Sequence, residues 1–221
     1  MINLVVLSVM IAVFLISFLA ISKTTFFDAV KFNVGKIKQG QIQRFFLGSL
    51  VHLDWLHLVF NLLGIYFFGP YLANYLGVKH GNIEFLTVFG MAYIVTNLFT
   101  LLFNFKNDNL SFVGLGGVVF ALMTVSIIIV PFNDMYPFFV FMPLPIPMYV
   151  LIAGYLLFLV YGIKPEGESM FFGGYLPGTI VGLVYSLLTI ENIFQDKIIN
   201  LGGVLILLIC SIWFYLNNRK A

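Results

Sequence analysis

The chain has 221 residues, of which 61% are hydrophobic and only 9% are charged, and its mean hydropathy is +1.05. A soluble domain of this size cannot bury so much apolar surface, so the composition excludes an ordinary soluble protein and predicts a polytopic membrane protein. The formal net charge of +2, carried by scattered basic residues, argues against nucleic acid as a partner.

Seven apolar runs follow one another along the chain, each near the length of about 20 residues that a membrane-spanning helix needs. They cover residues 4–21, 55–75, 85–103, 111–130, 147–163, 171–188 and 201–216. We therefore predict an all-α polytopic fold with one membrane domain over residues 1–221 that crosses the membrane seven times. A cleaved signal peptide is the rival interpretation of the first run, but no positive residue precedes it, which favours a membrane helix.

The connection between the first two spans, residues 22–54, is too long for a simple turn and is amphipathic. It carries the basic residues Lys23, Lys31, Lys36, Lys38 and Arg44. Arg44 can donate five hydrogen bonds to loop carbonyls and so hold the loop in one shape. The alternative is an interfacial arginine that extends its guanidinium to the lipid headgroups.

Three polar side chains stand at the start of the second span, where each is costly unless it faces the protein interior and finds a partner. His57 and Asn61 are four residues apart and share one helical face, whereas His52 belongs to the loop that enters the helix. His52, Asp54, His57 and His80 are all metal-ligand types, but their spacing matches no common metal motif. We predict neither a metal site nor a cofactor.

The order of these polar residues is a His, four residues, a second His, three residues and an Asn. It resembles the second transmembrane segment of the rhomboid intramembrane serine proteases. In that family these side chains line the active site, beside a Ser and a His from later segments. The resemblance implies a rhomboid-like six-helix core at residues 4–190 with one added C-terminal helix at 200–217, a 6+1 arrangement, in which residues 22–54 are the long first loop. Arg44 matches the Arg of the family's Trp-Arg pair in that loop, while Gln43 replaces the Trp.

The resemblance continues in two glycine-rich stretches, where the family's catalytic residues are missing. The stretch Gly114-Leu115-Gly116-Gly117 is similar to the family's Gly-x-Ser-Gly, so the nucleophile position falls on Gly116. In the sixth span, matching Gly173, Gly174 and Gly178 to the family's His-x-Gly-Gly-x-x-x-Gly puts Phe171 at the general-base position. A shifted register would put Tyr175 there. Gly174, Gly178 and Gly182 recur every four residues, a small-residue stripe that lets a neighbouring helix approach closely.

The residue types available in the spans also predict that the catalytic groups are missing. Serine hydrolysis needs a nucleophile beside a base, and the histidines, His52, His57 and His80, all precede the fourth span. No lysine lies inside a span for a Ser-Lys pair, and Asp54 has no partner for a carboxylate pair. We therefore predict that proteolytic activity is lost. His52, His57 and Asn61 then either form a hydrogen-bonded cluster that ties the loop to the helices or still contact a ligand or client.

The leading functional hypothesis is a rhomboid-like pseudoprotease that binds transmembrane segments of client proteins within the lipid bilayer. The alternatives are a serine endopeptidase with an unrecognised active site, and a transporter or structural membrane protein, against which the scarcity of charge in the spans counts. The location predicted is an integral, multi-pass one, in the plasma or inner membrane if the protein is bacterial. Nine basic residues lie on the side of the first loop and two on the opposite side, so the positive-inside rule contradicts the family topology, in which this loop is extracytoplasmic.

Overall fold

The computed structural model describes residues 3–75, 77–129, 134–135, 146–147 and 174–218. The helices of these ranges are α1 (Leu4–Ser22), α2 (Thr24–Val30), α3 (Val34–Lys38), α4 (Gln43–Leu47), α5 (Trp55–Tyr75), α6 (Gly77–Phe103), α7 (Gly116–Ile129), α8 (Leu176–Thr189), α9 (Ile193–Asp196) and α10 (Ile198–Asn218). The strands are β1 (Phe32–Asn33), β2 (Ser111–Phe112), β3 (Asp134–Met135) and β4 (Ile146–Pro147). β1 pairs antiparallel with β2, and β3 pairs antiparallel with β4.

The structure confirms that the fold is built of apolar helices, as an all-α membrane protein requires. Three of them are long and apolar enough to cross a membrane, Leu4–Ser22, Trp55–Ala73 and Gly81–Phe103. Shorter apolar helices cover Gly116–Ile129, Leu176–Thr189 and Ile198–Cys210. Pro147 lies in β4, and the rest of the predicted fifth span, to residue 163, is outside the described residues, so the 6+1 count stays a prediction.

Two predicted helix starts are wrong. α6 already begins at Gly77 rather than at Phe85. Gly81 allows this, because a Cβ atom there would lie 1.9 Å from the Ala73 carbonyl oxygen, so the ends of α5 and α6 meet backbone to backbone. The fourth span was expected from Ser111, but α7 begins at Gly116, since Ser111 is in a strand and the backbone at Gly114 has φ +94°.

The first loop is a folded substructure rather than an irregular connection, because it contains α2, β1, α3 and α4. Its strand pairing sets Phe32 opposite Phe112, and these rings are buried together with Val34 and Ile37. The amide of Val34 also donates to the Leu110 carbonyl at 3.1 Å. The loop is thereby fastened to the segment that leads into Gly114.

Arg44 is buried inside this loop, with 4% of its surface exposed. Its Nη1 atom donates to the carbonyl oxygens of Asp28 at 2.8 Å and Lys31 at 3.0 Å, and its Nε donates to Gln41 Oε1 at 2.6 Å. An arginine with these partners fixes the loop and does not extend to the lipid headgroups.

The core is centred on α7, in which every residue from 117 to 129 is buried. α5, α6 and α8 pack around it, and α10 closes its far end. There Lys197 Nζ donates to the Ile129 carbonyl at 3.0 Å and Asn200 Nδ2 donates to the Ile128 carbonyl at 2.9 Å. Lys197, which directly precedes α10, and Asn200 of α10 thus satisfy carbonyl groups that the last turn of α7 leaves without helical partners.

α7 and α8 are in backbone contact and run in the same direction. A Cβ atom at Gly178 would lie 2.0 Å from the Gly117 carbonyl oxygen, and one at Gly182 would lie 2.6 Å from that of Ala121. The stripe of small residues in the sixth span is therefore the surface through which α8 approaches α7. It sets the start of α8 beside Gly116.

Candidate rhomboid site

His52 lies on the loop before α5 and is fully buried. Its Nδ1 atom is 2.8 Å from Ser17 Oγ, and the same hydroxyl donates to the Leu50 carbonyl at 2.8 Å. Since a hydroxyl has one proton to donate, Ser17 accepts from His52 Nδ1–H, and this sets the tautomer. His52 Nε2 is then a bare acceptor, and it finds no hydrogen-bond partner among the described residues. Burial lowers the pKa of His52 to about 3, so the ring is neutral at pH 7.

His57 and Asn61 lie on the first turns of α5, on one helical face. The Asp54 carboxylate accepts from the backbone N–H of His57 at 2.8 Å and so satisfies a free donor at the helix start. Asn61, which is buried, donates from Nδ2 to the His57 carbonyl at 2.8 Å. The His57 ring meets the His52 ring edge-on, with centroids 5.0 Å apart. The structure thus brings these three residues into one polar cluster.

Gly114 lies directly against this cluster. A Cβ atom at Gly114 would come 2.5 Å from both Cε1 and Nε2 of His57 and 3.5 Å from Cδ2 of His52. Its φ of +94° also disfavours any residue with a side chain. Glycine is therefore required here on two grounds, and the glycine-rich segment closes over both imidazoles.

Gly116 faces an aromatic ring instead. Apart from its own helix, the nearest atoms to a Cβ at Gly116 are Cε1 and Cδ1 of Tyr175, at 3.2 and 3.8 Å. Tyr175 directly precedes α8, and its ring packs on that of Phe120 with centroids 4.4 Å apart. Phe171 and Gly173 lie outside the described residues. Of the two residues that sequence matching gave for the general-base position, Tyr175 is thus seen beside Gly116.

Comparison with known protein families identifies the fold that carries this cluster. The model of the Rhomboid domain matches residues 39–192, which is more than half of the chain. The chain belongs to the rhomboid family. The resemblance inferred from the polar residues of the second span and from the glycine motifs is thereby confirmed. No curated protein matches the sequence.

Three helices of this rhomboid meet at Gly117. A Cβ atom there would lie 2.3 Å from Thr96 Oγ1 on α6 and 2.8 Å from the Gly174 carbonyl oxygen next to α8. Thr96 Oγ1 is buried and has no hydrogen-bond partner within the ranges that the structure describes. A glycine at 117 is what lets α6, α7 and the segment at the start of α8 come this close together.

Sequence reasoning missed the residues that support the site from neighbouring helices. Ser17 of α1 holds His52, and Asn97 of α6 donates from Nδ2 to the Phe45 carbonyl at 2.9 Å while its own oxygen accepts from the Ser49 hydroxyl. Both Ser17 and Asn97 are polar residues inside apolar spans. That was the available signal, because a polar group inside a membrane span needs a partner.

The arrangement is a polar cluster held together by hydrogen bonds. Within the described ranges, no group of three His, Cys, Asp or Glu side chains is placed to hold a metal ion. Within the polar cluster, the buried His52 Nε2 is an acceptor atom with no hydrogen-bond partner among the described residues. At position 116 itself the chain offers no hydroxyl group.

Proposed function

We propose that this rhomboid-family protein does not cleave peptide bonds and instead binds transmembrane segments of client proteins. The observation that supports it best is the contact between Gly116 and Tyr175. The family resemblance assigns the nucleophile to position 116, where the chain has no hydroxyl group. The ring against it is a phenol, which at neutral pH is protonated and a poor general base.

Packing of α8 supports the register that pairs Tyr175 with position 116. Gly178 lies against Gly117, and Gly182 lies against Ala121, so α8 is held in one position along α7. In this register Tyr175 takes the place that the family gives to its histidine, and Phe171 lies one helical turn earlier in the sequence.

Loss of both catalytic groups agrees with the energetics of buried polar atoms. Removing one partner of a buried pair leaves the other unsatisfied at a cost of about 1 to 3 kcal/mol, whereas removing both can be nearly neutral. Here Gly116 packs on the Tyr175 ring, which itself packs on Phe120, so apolar contacts fill the position. The retained His52, His57 and Asn61 then serve to tie the first loop, α1 and α5 together.

Binding of a transmembrane segment needs apolar surface beside the polar cluster. α5 presents such a surface, because Leu56, Val59 and Phe60 are 67, 47 and 61% exposed on the same turns that carry His57 and Asn61. A client helix that docks on these side chains would reach the polar cluster with its backbone or with a hydroxyl side chain. Such contacts hold a client without cutting it.

Two double variants test the site, one for each register. Gly116→Ser with Tyr175→His should restore a serine beside an imidazole and react with a fluorophosphonate probe at least ~10-fold faster than the wild type. Gly116→Ser with Phe171→His is the matched control and should stay unlabelled, as should Gly116→Ser alone, whose new side chain is crowded by the Tyr175 ring. Labelling of the wild type would reject the proposal, and labelling of the Phe171→His pair alone would reject the register.

A further inference from the structure

The first loop and the turn after α6 together form a charged patch that the proposed function does not use. Lys36 and Lys38 come from α3, and Lys106 comes from the turn at residues 104–110; all three are exposed. We call these three lysines the basic rim. We propose that the basic rim binds the anionic headgroups of phospholipids. This inference is independent of whether the protein cleaves or binds clients.

The two segments of the basic rim are held together as one unit. The backbone N–H of Gly35 donates to the Asp108 carbonyl at 3.1 Å, and that of Val34 donates to the Leu110 carbonyl at 3.1 Å. Lys38 Nζ lies 2.6 Å from Asp108 Oδ1. The lysines of α3 are therefore fixed beside Lys106 although about 70 residues of sequence separate them.

The side chains next to the basic rim place it at headgroup depth. Leu102 and Phe103, at the end of the membrane-spanning part of α6, are 60 and 62% exposed, as lipid-facing residues are. Phe105 follows and is 50% exposed. Lys38 Nζ lies 4.7 Å from the centre of its ring and donates to its carbonyl at 3.1 Å. An exposed aromatic ring under an ammonium group at the end of a spanning helix is typical of the membrane interface.

The charge of the basic rim is only partly compensated. Asp108 is the one acidic residue in segments 34–38 and 104–110. Asp28 also lies within electrostatic reach of Lys36, but its carboxylate is paired with Lys31 at 2.7 Å, so the three lysines keep an excess of positive charge. Arg44 does not contribute, because it is buried with three partners of its own. The excess positive charge at this depth fits phosphodiester groups of an anionic leaflet, for which each lysine near the surface contributes appreciable attraction.

The test measures how strongly labelled phosphatidylglycerol associates with the purified protein in phosphatidylcholine vesicles. The wild type should prefer phosphatidylglycerol, and this preference should weaken as salt is raised. The triple variant Lys36→Gln, Lys38→Gln, Lys106→Gln should lose about 10-fold or more of the preference, since each lysine near an anionic surface contributes about 5-fold.

Asp108→Asn is the opposite control and should strengthen the association, because it removes the carboxylate that is paired with Lys38 while leaving the backbone contacts intact. It also keeps the inference testable if the triple variant fails to fold. A wild type without preference for phosphatidylglycerol, or an Asp108→Asn variant that binds it more weakly, would overturn the inference. Displacement of the lipid by inorganic phosphate at matched ionic strength would also overturn it, because the site would then be one for a free anion.

Discussion

Replacing Gly178 by alanine should lower the free energy of unfolding by about 3 kcal/mol, near the upper end of what overpacking usually costs. The new methyl group would lie 2.0 Å from the Gly117 carbonyl oxygen. That atom belongs to the backbone of the central helix, so it cannot turn away as a flexible side chain could. α8 would have to move off α7, and the contact between Tyr175 and Gly116 would open with it.

Gly202→Ala is the matched control for this experiment. Gly202 lies in α10, and among the described residues no atom outside its own helix comes within 4 Å of its Cβ position. Alanine there should be neutral or raise stability by up to about 1 kcal/mol, the helix-propensity difference between the two residues. Unfolding by SDS titration in mixed micelles measures both variants. Equal effects of the two substitutions would show that α7 and α8 are not in backbone contact.

As the pH falls, protonation of His52 should lower the free energy of unfolding well before the carboxylates of the protein become protonated. The unfolded chain binds a proton at this residue near pH 6.5, whereas burial in the fold lowers the pKa of His52 to about 3. The contribution of the neutral His52 ring to the free energy of unfolding is fully present above pH 6.5. It is lost as the pH falls toward 3, at up to about 1.4 kcal/mol per pH unit.

His52→Gln isolates this contribution, because glutamine does not titrate. The free energy of unfolding of both proteins is measured between pH 7 and 4.5. The wild type should lose roughly 2 kcal/mol more than the variant over this range. Parallel pH profiles would mean that His52 is protonated as readily in the fold as in the unfolded chain, which its buried contact with Ser17 does not allow.

The long helices could be predicted from the sequence because hydropathy reports directly on contact with lipid. α1 and α5 match the predicted first and second spans within one residue at each end. The starts of α6 and α7 could not be predicted in the same way. They depend on how close two backbones come at Gly81 and on the conformation of Gly114, and hydropathy registers neither.

The register of the sixth span shows a different limit. Gly174, Gly178 and Gly182 repeat every four residues, so the spacing of the family's glycines can be matched at two positions one helical turn apart, with Pro177 in place of one glycine in the second. A local pattern cannot distinguish them, because both put small residues on the same face. The distinction comes from the contact of Gly178 with Gly117, a tertiary one that brings Tyr175 to position 116.

The first loop could be predicted only in outline. Its basic composition and length were evident, and Arg44 was recognised as a candidate for holding it. Its short helices have no apolar periodicity long enough to detect, and its strand of two residues exists only because Phe112 packs on Phe32. Short elements of this kind are stabilised by tertiary packing and not by intrinsic propensity.

Client binding without cleavage is tested most directly by incubating the purified wild-type protein in liposomes with a fluorescent transmembrane peptide and following energy transfer and peptide length together. We expect saturable energy transfer, which reports binding, while the peptide stays intact. Release of a cleaved fragment by the wild type, absent from empty liposomes, would contradict it, as would the absence of saturable transfer.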